Sequence, residues 1–196
     1  MRKTNPEQES IIKQKTLELL LIKEPEAISM REIASSCGFS ATTIYYYCKD
    51  KDSLFEQIKI NCLTDMEKYI VSRTNTSLPV LDQLKSAMIA FRDWAFEHPR
   101  IAVLVMGRFK PNLTASSEEL AKYYTANTFA ITLLNTAVSQ GLLRVKDTKL
   151  ESAILIAALW GGIESILLNR TFPDYWGKGV FFTDALIEKL YSSLLQ

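Results

Sequence analysis

SMREIASSCGFSATTIYYYCKDKDSLF, Ser29 to Phe55, carries two short helical patterns on either side of one glycine. Ser29 followed by Glu32 is an N-terminal capping signal, and Met30, Ile33 and Ala34 give an apolar side to a helix ending near Gly38. Ser40 can cap a second helix, Ala41 to about Tyr47. Ala41, Ile44 and Cys48 share one of its faces, the predicted buried side. The opposite face presents Thr42, Thr43 and Tyr46, with Tyr45 and Tyr47 at its edges. Met30 to Ser36 and Ala41 to Tyr47, joined by a tight glycine-containing turn, follow the helix-turn-helix plan, in which the second helix enters a major groove.

The three tyrosines decide what that second helix faces. A buried phenol must still satisfy its hydroxyl, so three in a row are poor core material. At the edges of a groove-bound helix Tyr45 and Tyr47 can reach phosphate oxygens, while Tyr46 touches base edges or a thymine methyl. For Tyr45 or Tyr47 alone, packing on a neighbouring helix is an equally good account; for all three together it is a poor one.

Outward from this stretch the helical spacing continues. Asn5 as N-cap, Pro6 at the first helical position and Gln8 three residues after the cap resemble a capping box, and Ile12, Thr16, Leu19 and Leu20 extend the helix until Pro25. Asp52 or Ser53 starts a fourth helix, Leu54 to about Ser72. Further helices are predicted at about 80–98, 100–109, 117–141, 148–170 and 183–195, with no convincing strand. The fold class is therefore all-α.

Composition bounds the rest. The chain has 196 residues, 47% hydrophobic and 23% charged, with 7 Gly and 6 Pro, the profile of an ordered globular protein. MRKTNPEQES holds no apolar core, so it is neither a secretory signal nor an anchor. The most apolar run, Ala153 to Leu168, is shorter than the roughly 20 residues of a bilayer span and carries Glu164, so a buried helix is expected and no membrane partner. Cys37, Cys48 and Cys62 match no zinc spacing, and a reduced cytoplasmic chain with no metal or cofactor is the simplest reading. Buried Cys37 or Cys48 serves better as an apolar filler than as a redox centre. The single histidine, His98, precedes Pro99, and no nucleophile, phosphate loop or paired metal ligands stand out, so the protein is not expected to be an enzyme. Nine basic and nine acidic residues in the first 60 leave no basic excess, so any nucleic-acid role rests on placement.

Ser29 to Phe55 resembles the DNA-binding signature of the TetR family of bacterial transcriptional regulators. The pattern is threonine or serine, any residue, arginine, any residue, isoleucine, alanine, then glycine and an apolar residue, then threonine, leucine or isoleucine, tyrosine and a polar aromatic. By that likeness Ser29 caps its helix and touches phosphate, and Arg31 reaches a base, best a guanine, or the backbone. Thr43, Tyr45, Tyr47 and Lys51 hold the DNA backbone, Thr42 and Tyr46 point at bases, and Ser40 joins the same surface. Three departures stand out: Cys48 in place of a core phenylalanine, Lys15 and Thr16 in place of an alanine pair, and Glu24 and Pro25 in place of a glycine-containing turn.

The resemblance also implies an N-terminal three-helix DNA-binding domain, 1–53, and a larger helical ligand-binding and dimerisation domain, 54–196. The middle helices are rich in aromatic bulk, and the implied small-molecule pocket draws on Trp94, Met106, Phe109, Tyr123, Phe129 and Trp160, which suit an apolar or aromatic effector. In the predicted helix 148–170 the small residues Ala153, Ala157, Gly161 and Ser165 recur every four positions. Leu186, Ile187, Leu190, Tyr191 and Leu194 line one stripe of the last helix. These two helices from each of two chains would form a four-helix bundle, as the family pairs, or pack within one chain. The implied function is a ligand-responsive regulator, a repressor, binding a near-palindromic operator in double-stranded DNA as a homodimer. The alternative is a protein-binding co-regulator of the same fold that has lost DNA binding.

Overall fold

The computed structural model describes residues 5–106, 116, 118, 121 and 123–195. Among them are nine α-helices and no strand. The chain divides into two compact units, Met1–Cys62 and Leu63–Gln196.

The first unit holds α1 (Pro6–Leu20), α2 (Met30–Cys37), α3 (Ala41–Tyr47) and the start of α4 (Lys51–Arg73). Helix α1 ends at Leu20, short of Pro25; Glu24, the residue before the proline, is extended, as the proline ring requires, and a short 3-10 turn, Pro25–Ala27, follows. Gly38 ends α2 with φ near 70°, a left-handed conformation that costs other residues energy, and the Phe39 N–H closes back on the Ala34 carbonyl at 2.9 Å. Ile12, Ile28, Ile33, Ala34, Ile44 and Leu54 are buried and form the centre of this unit's core.

Helix α4 starts earlier than its sequence suggests. Asp50 accepts the Ser53 N–H at 2.8 Å and the Asp50 N–H donates to Ser53 Oγ at 3.2 Å, a reciprocal cap that draws Lys51 and Asp52 into the helix. The Ser53 backbone bond holds the Asp50 carboxyl below its ordinary value of 3.8. A carboxyl so depressed stabilises the fold above its unfolded pKa, and that contribution vanishes as pH falls through the folded value. Asp50→Asn keeps the cap without the charge. Between pH 6 and pH 3 its melting temperature is therefore expected to fall less than that of the wild type in thermal denaturation followed by circular dichroism.

The second unit holds the rest of α4 with α5 (Val80–Glu97), α6 (Pro99–Met106), α7 (Thr125–Ser139), α8 (Thr148–Leu167) and α9 (Gly179–Leu194). Helix α5 is central, packing on α6, α7, α8 and α9, and buries Val80, Leu84, Met88, Phe91 and Trp94 at helical spacing. Its buried Arg92 donates through Nε to Asp93 at 2.7 Å and pairs with Asp184 of α9. A methyl group added to Gly162 of α8 would collide with Leu186 Cδ2 of α9, so these two helices approach closely. Helix α9 begins at Gly179, four residues before the expected Thr183. Thr183 lies one turn inside, wholly buried, its hydroxyl donating to the Gly179 carbonyl at 2.7 Å.

The final helix turns its predicted bundle stripe inward. Ile187 and Leu194 are buried, Leu186 meets Gly162, and Tyr191 donates to Asp82 at 3.0 Å beneath the Lys85 ammonium, 5.2 Å from its ring centre. These contacts lie within their own unit, one of the two arrangements the sequence leaves open, while Leu186, Leu190 and Tyr191 remain half-buried. What stays open there is Val180, Phe181 and Leu195. On α8 the small stripe is open: Ala153, Ala157 and Gly161 are exposed, beside exposed Leu150 and Ile154.

At 20 residues and a mean hydropathy of 1.6, α8 is long and apolar enough to cross a membrane by length and composition, against the expectation that the run is too short. Ser152, Leu155, Leu159 and Ile163 are nevertheless buried along one side of it, and it packs on α5, α6, α7 and α9.

Candidate nucleic-acid interface and ligand cavity

Helix α3 is oriented by the burial of its inner side. Ile44 is 0% exposed and Cys48 is buried, its thiol donating to the Ile44 carbonyl at 3.4 Å, while Ala41 is half-buried. Thr42, Tyr45 and Tyr46 consequently face outward, Tyr45 54% and Tyr46 49% exposed. The Tyr46 ring stands edge-on to that of Tyr47 at 5.4 Å. Ser40 accepts the Thr43 N–H at 3.1 Å and its hydroxyl lies 2.9 Å from that of half-buried Thr43.

On α2, Ser29 is the N-cap, accepting the Glu32 N–H at 3.2 Å, and Arg31 is exposed one residue into the helix. Glu32 pairs with Lys23 across the α1–α2 connection, a bond that holds its carboxyl below the usual carboxylate range.

Two residues of the expected interface are engaged inside the unit. The Tyr47 hydroxyl accepts the Asn5 N–H at 3.2 Å and donates to Gln8 Oε1 at 2.7 Å. It is thus inserted into the box expected to close between Asn5 and Gln8, and it ties α3 to the first turn of α1. Lys51 donates to the carbonyls of Pro25 and Ile28, each at 3.0 Å, with its ammonium 5.7 Å from the Phe55 ring centre. Neither link has a local sequence signal, because the partners lie 42 and 26 residues away.

In the second unit a partly open cavity of about 410 Å³ is lined by side chains of α4, α5, α6, α7 and α8. Of the expected ligand residues, Met106, Tyr123, Phe129 and Trp160 line it. Trp94 does not; it is buried in α5 beside His98, ring centres 5.9 Å apart. Phe109 lies outside the described residues. Lining residues that sequence reading missed include Met66 and Ile70 on α4 and Met88 and Phe91 on α5, whose apolar spacing looks the same as that of ordinary core.

Residues 13–58 match the family of bacterial regulatory proteins named tetR. No curated protein matches the chain. Among solved structures, one assigned to the tetR family of transcription regulators, from Shewanella sp. PV-4, is similar at a TM-score of 0.79 and 14% identity, with 96% of this chain and 98% of that chain covered. The fatty acid degradation regulator FadR from Bacillus halodurans is similar at a TM-score of 0.72 and 16% identity, covering 99% and 97%. NalD of Pseudomonas aeruginosa, the secondary repressor of the MexAB-OprM multidrug efflux pump, is similar at 0.71 and 18%, covering 97% of each. At such identities the likeness is one of fold, and it extends over nearly the whole chain.

The three departures from the TetR pattern are each accommodated. Thr16 is wholly buried and its hydroxyl donates to the Ile12 carbonyl at 2.7 Å, so a polar group replaces an alanine methyl without an unmet bond. Glu24 and Pro25 make the 3-10 turn whose carbonyl Lys51 binds. Burial raises the thiol pKa of both Cys48 and Cys37, the opposite of the depression that makes a thiol reactive. No group of three or more His, Cys, Asp or Glu able to hold a metal occurs among the described residues.

Tyr47→Phe deletes the hydroxyl that joins α3 to α1 and leaves the ring. The N-terminal unit is expected to lose about 1–2 kcal/mol in urea denaturation, the usual net worth of the two hydrogen bonds lost.

Proposed function

We propose that the protein is a ligand-responsive transcriptional repressor of the cytoplasm, which binds a near-palindromic operator as a homodimer and is released by a small apolar or aromatic effector. The observation that carries this reading is the outward face of α3, Thr42, Tyr45 and Tyr46, fixed by the burial of Ile44 and Cys48 beneath it. Tyr46 and Thr42 meet base edges, Arg31 forks onto a guanine, and Ser29, Ser40, Thr43 and Tyr45 position the helix on phosphates. Tyr47 and Lys51 contribute by fixing the unit, and reach DNA only by giving up the bonds they make within it. The open face of α8 pairs with its copy, and no membrane or cofactor takes part. An effector in the cavity acts by binding the released conformation more tightly, a coupling on the order of 1–3 kcal/mol. That NalD, of the same fold, is a repressor supports the sign of regulation.

Gel-shift titration against salt tests the reading on operator fragments selected from random DNA. The log–log slope is expected to be about −4 to −8, for a dimer neutralising roughly five to nine phosphates. Tyr45→Phe is expected to lower affinity for all sequences alike, whereas Tyr46→Ala mainly alters the selected site. An unchanged site profile for Tyr46→Ala would remove that residue from the reading face.

A second reading, a protein-binding co-regulator of the same fold, draws on the even charge of the first 60 residues and on the engagement of Lys51 with backbone carbonyls. Absent or salt-insensitive DNA binding would favour it.

A further inference from the structure

The described lining of the cavity is divided by chemistry. Apart from the Trp160 indole, its polar side chains all come from one segment, Tyr123–Asn127: two phenols, a threonine and a carboxamide. The remainder is hydrocarbon, thioether or aromatic ring, with Phe91 and Trp160 tilted together at 5.5 Å and Met66 and Met88 beside them in the lining. None of the described lining residues carries a formal charge. The polar end is fixed against α8, because buried Ser152 donates to the Asn127 carbonyl at 3.3 Å.

We propose that this cavity takes an uncharged amphipathic molecule, its aromatic or aliphatic body against Phe91, Trp160 and Met88 and a single hydrogen-bonding group at the Tyr123–Asn127 end, received by the Asn127 carboxamide. The proposal rests on the regulator reading above and names its effector class. A carboxylate or ammonium entering such a lining surrenders hydration and gains no counter-charge from the described residues. A carboxamide both donates and accepts, so a hydroxyl or a carbonyl satisfies it equally. Thioethers reshape readily, so the apolar body is held with low selectivity and the polar end discriminates.

Isothermal titration of the full chain at pH 7 with four biphenyl probes tests this: 4-hydroxybiphenyl, biphenyl-4-carboxylate, biphenyl-4-ylmethylammonium and plain biphenyl. The hydroxyl probe is expected to bind about tenfold or more tighter than either ion. Asn127→Leu is expected to weaken the hydroxyl probe about tenfold and plain biphenyl less than about twofold. Asn127→Ser, which keeps a smaller polar group, should fall between. Thermal melts confirm that both variants fold. An ion that binds as tightly as the hydroxyl probe, a hydroxyl probe indifferent to Asn127→Leu, or no binding of any probe below about 1 mM overturns the proposal. Operator binding without any probe tests the regulator reading separately. A protein that binds the hydroxyl probe as described but no DNA would end that reading and leave the ligand class standing.

Discussion

Ile44→Ala is expected to cost the N-terminal unit about 2–5 kcal/mol and to abolish operator binding. Ile44 is the one buried side chain within α3, and it is fully enclosed. Its removal leaves a cavity beneath a seven-residue helix that has no other buried anchor until Cys48. A unit of about 60 residues buries a small core and has only a few kcal/mol of stability, so the loss is most of what it has. The control is Tyr46→Ala on the same helix, which removes a larger but half-exposed side chain and should change stability by less than about 0.5 kcal/mol. Chemical denaturation followed by circular dichroism compares the two. If both variants lost the same stability, α3 would not be held by its inner face, and the outward display of Tyr45 and Tyr46 would lose its cause.

The contrast between those two residues shows what was legible in the sequence. The period of Ala41, Ile44 and Cys48 identified the inner face, and three adjacent phenols announced an outer one, because a helix cannot bury consecutive residues on a single side. Gly38, Ser29 and Ser40 marked the turn and caps through local chemistry alone. The long-range ties were not legible. Nothing near Tyr47 or Lys51 says that a phenol will enter the α1 cap or that an ammonium will bind the Pro25 and Ile28 carbonyls. Those partners are brought near only by the packing of α1 against α2 and of α2 against α3. The cavity was half legible for a related reason. Aromatic bulk in the middle helices pointed to Tyr123, Phe129 and Trp160, yet Trp94 packs in the core while Met66 and Met88 line the space. Core and pocket wall are both apolar at helical spacing, and composition does not distinguish them. The same ambiguity holds for the stripe on α9, where Ile187 and Leu194 are buried in the chain's own core while Leu186, Leu190 and Tyr191 are half-buried.

Ile154→Arg is expected to raise the dimer dissociation constant by about 100-fold or more while leaving the fold of each chain intact. Leu150, Ile154, Ala157 and Gly161 recur at steps of four, three and four, so they form one stripe of α8. Leu150 is 59% and Ile154 50% exposed, and a methyl group added to Gly161 would meet nothing within 4 Å. Ala157 and Gly161 permit a second helix to come near, and the two larger side chains supply apolar area to bury. In the proposed dimer α8 is covered on one side by its own unit and on the other by a copy, and such a helix is expected to be apolar nearly all round, as its hydropathy is. At a two-fold axis each substitution occurs twice, so Ile154→Arg places two like charges in an apolar contact without partners. Operator affinity should fall with dimerisation, because a half-site contact retains only part of the binding energy. Sedimentation velocity and gel shift measure the two effects, and a melting temperature close to wild type shows that an exposed position was changed. A variant that stays dimeric and operator-competent would exclude the α8 face as the pairing surface. It would leave the exposed Val180 and Phe181 of α9 to account for any dimer.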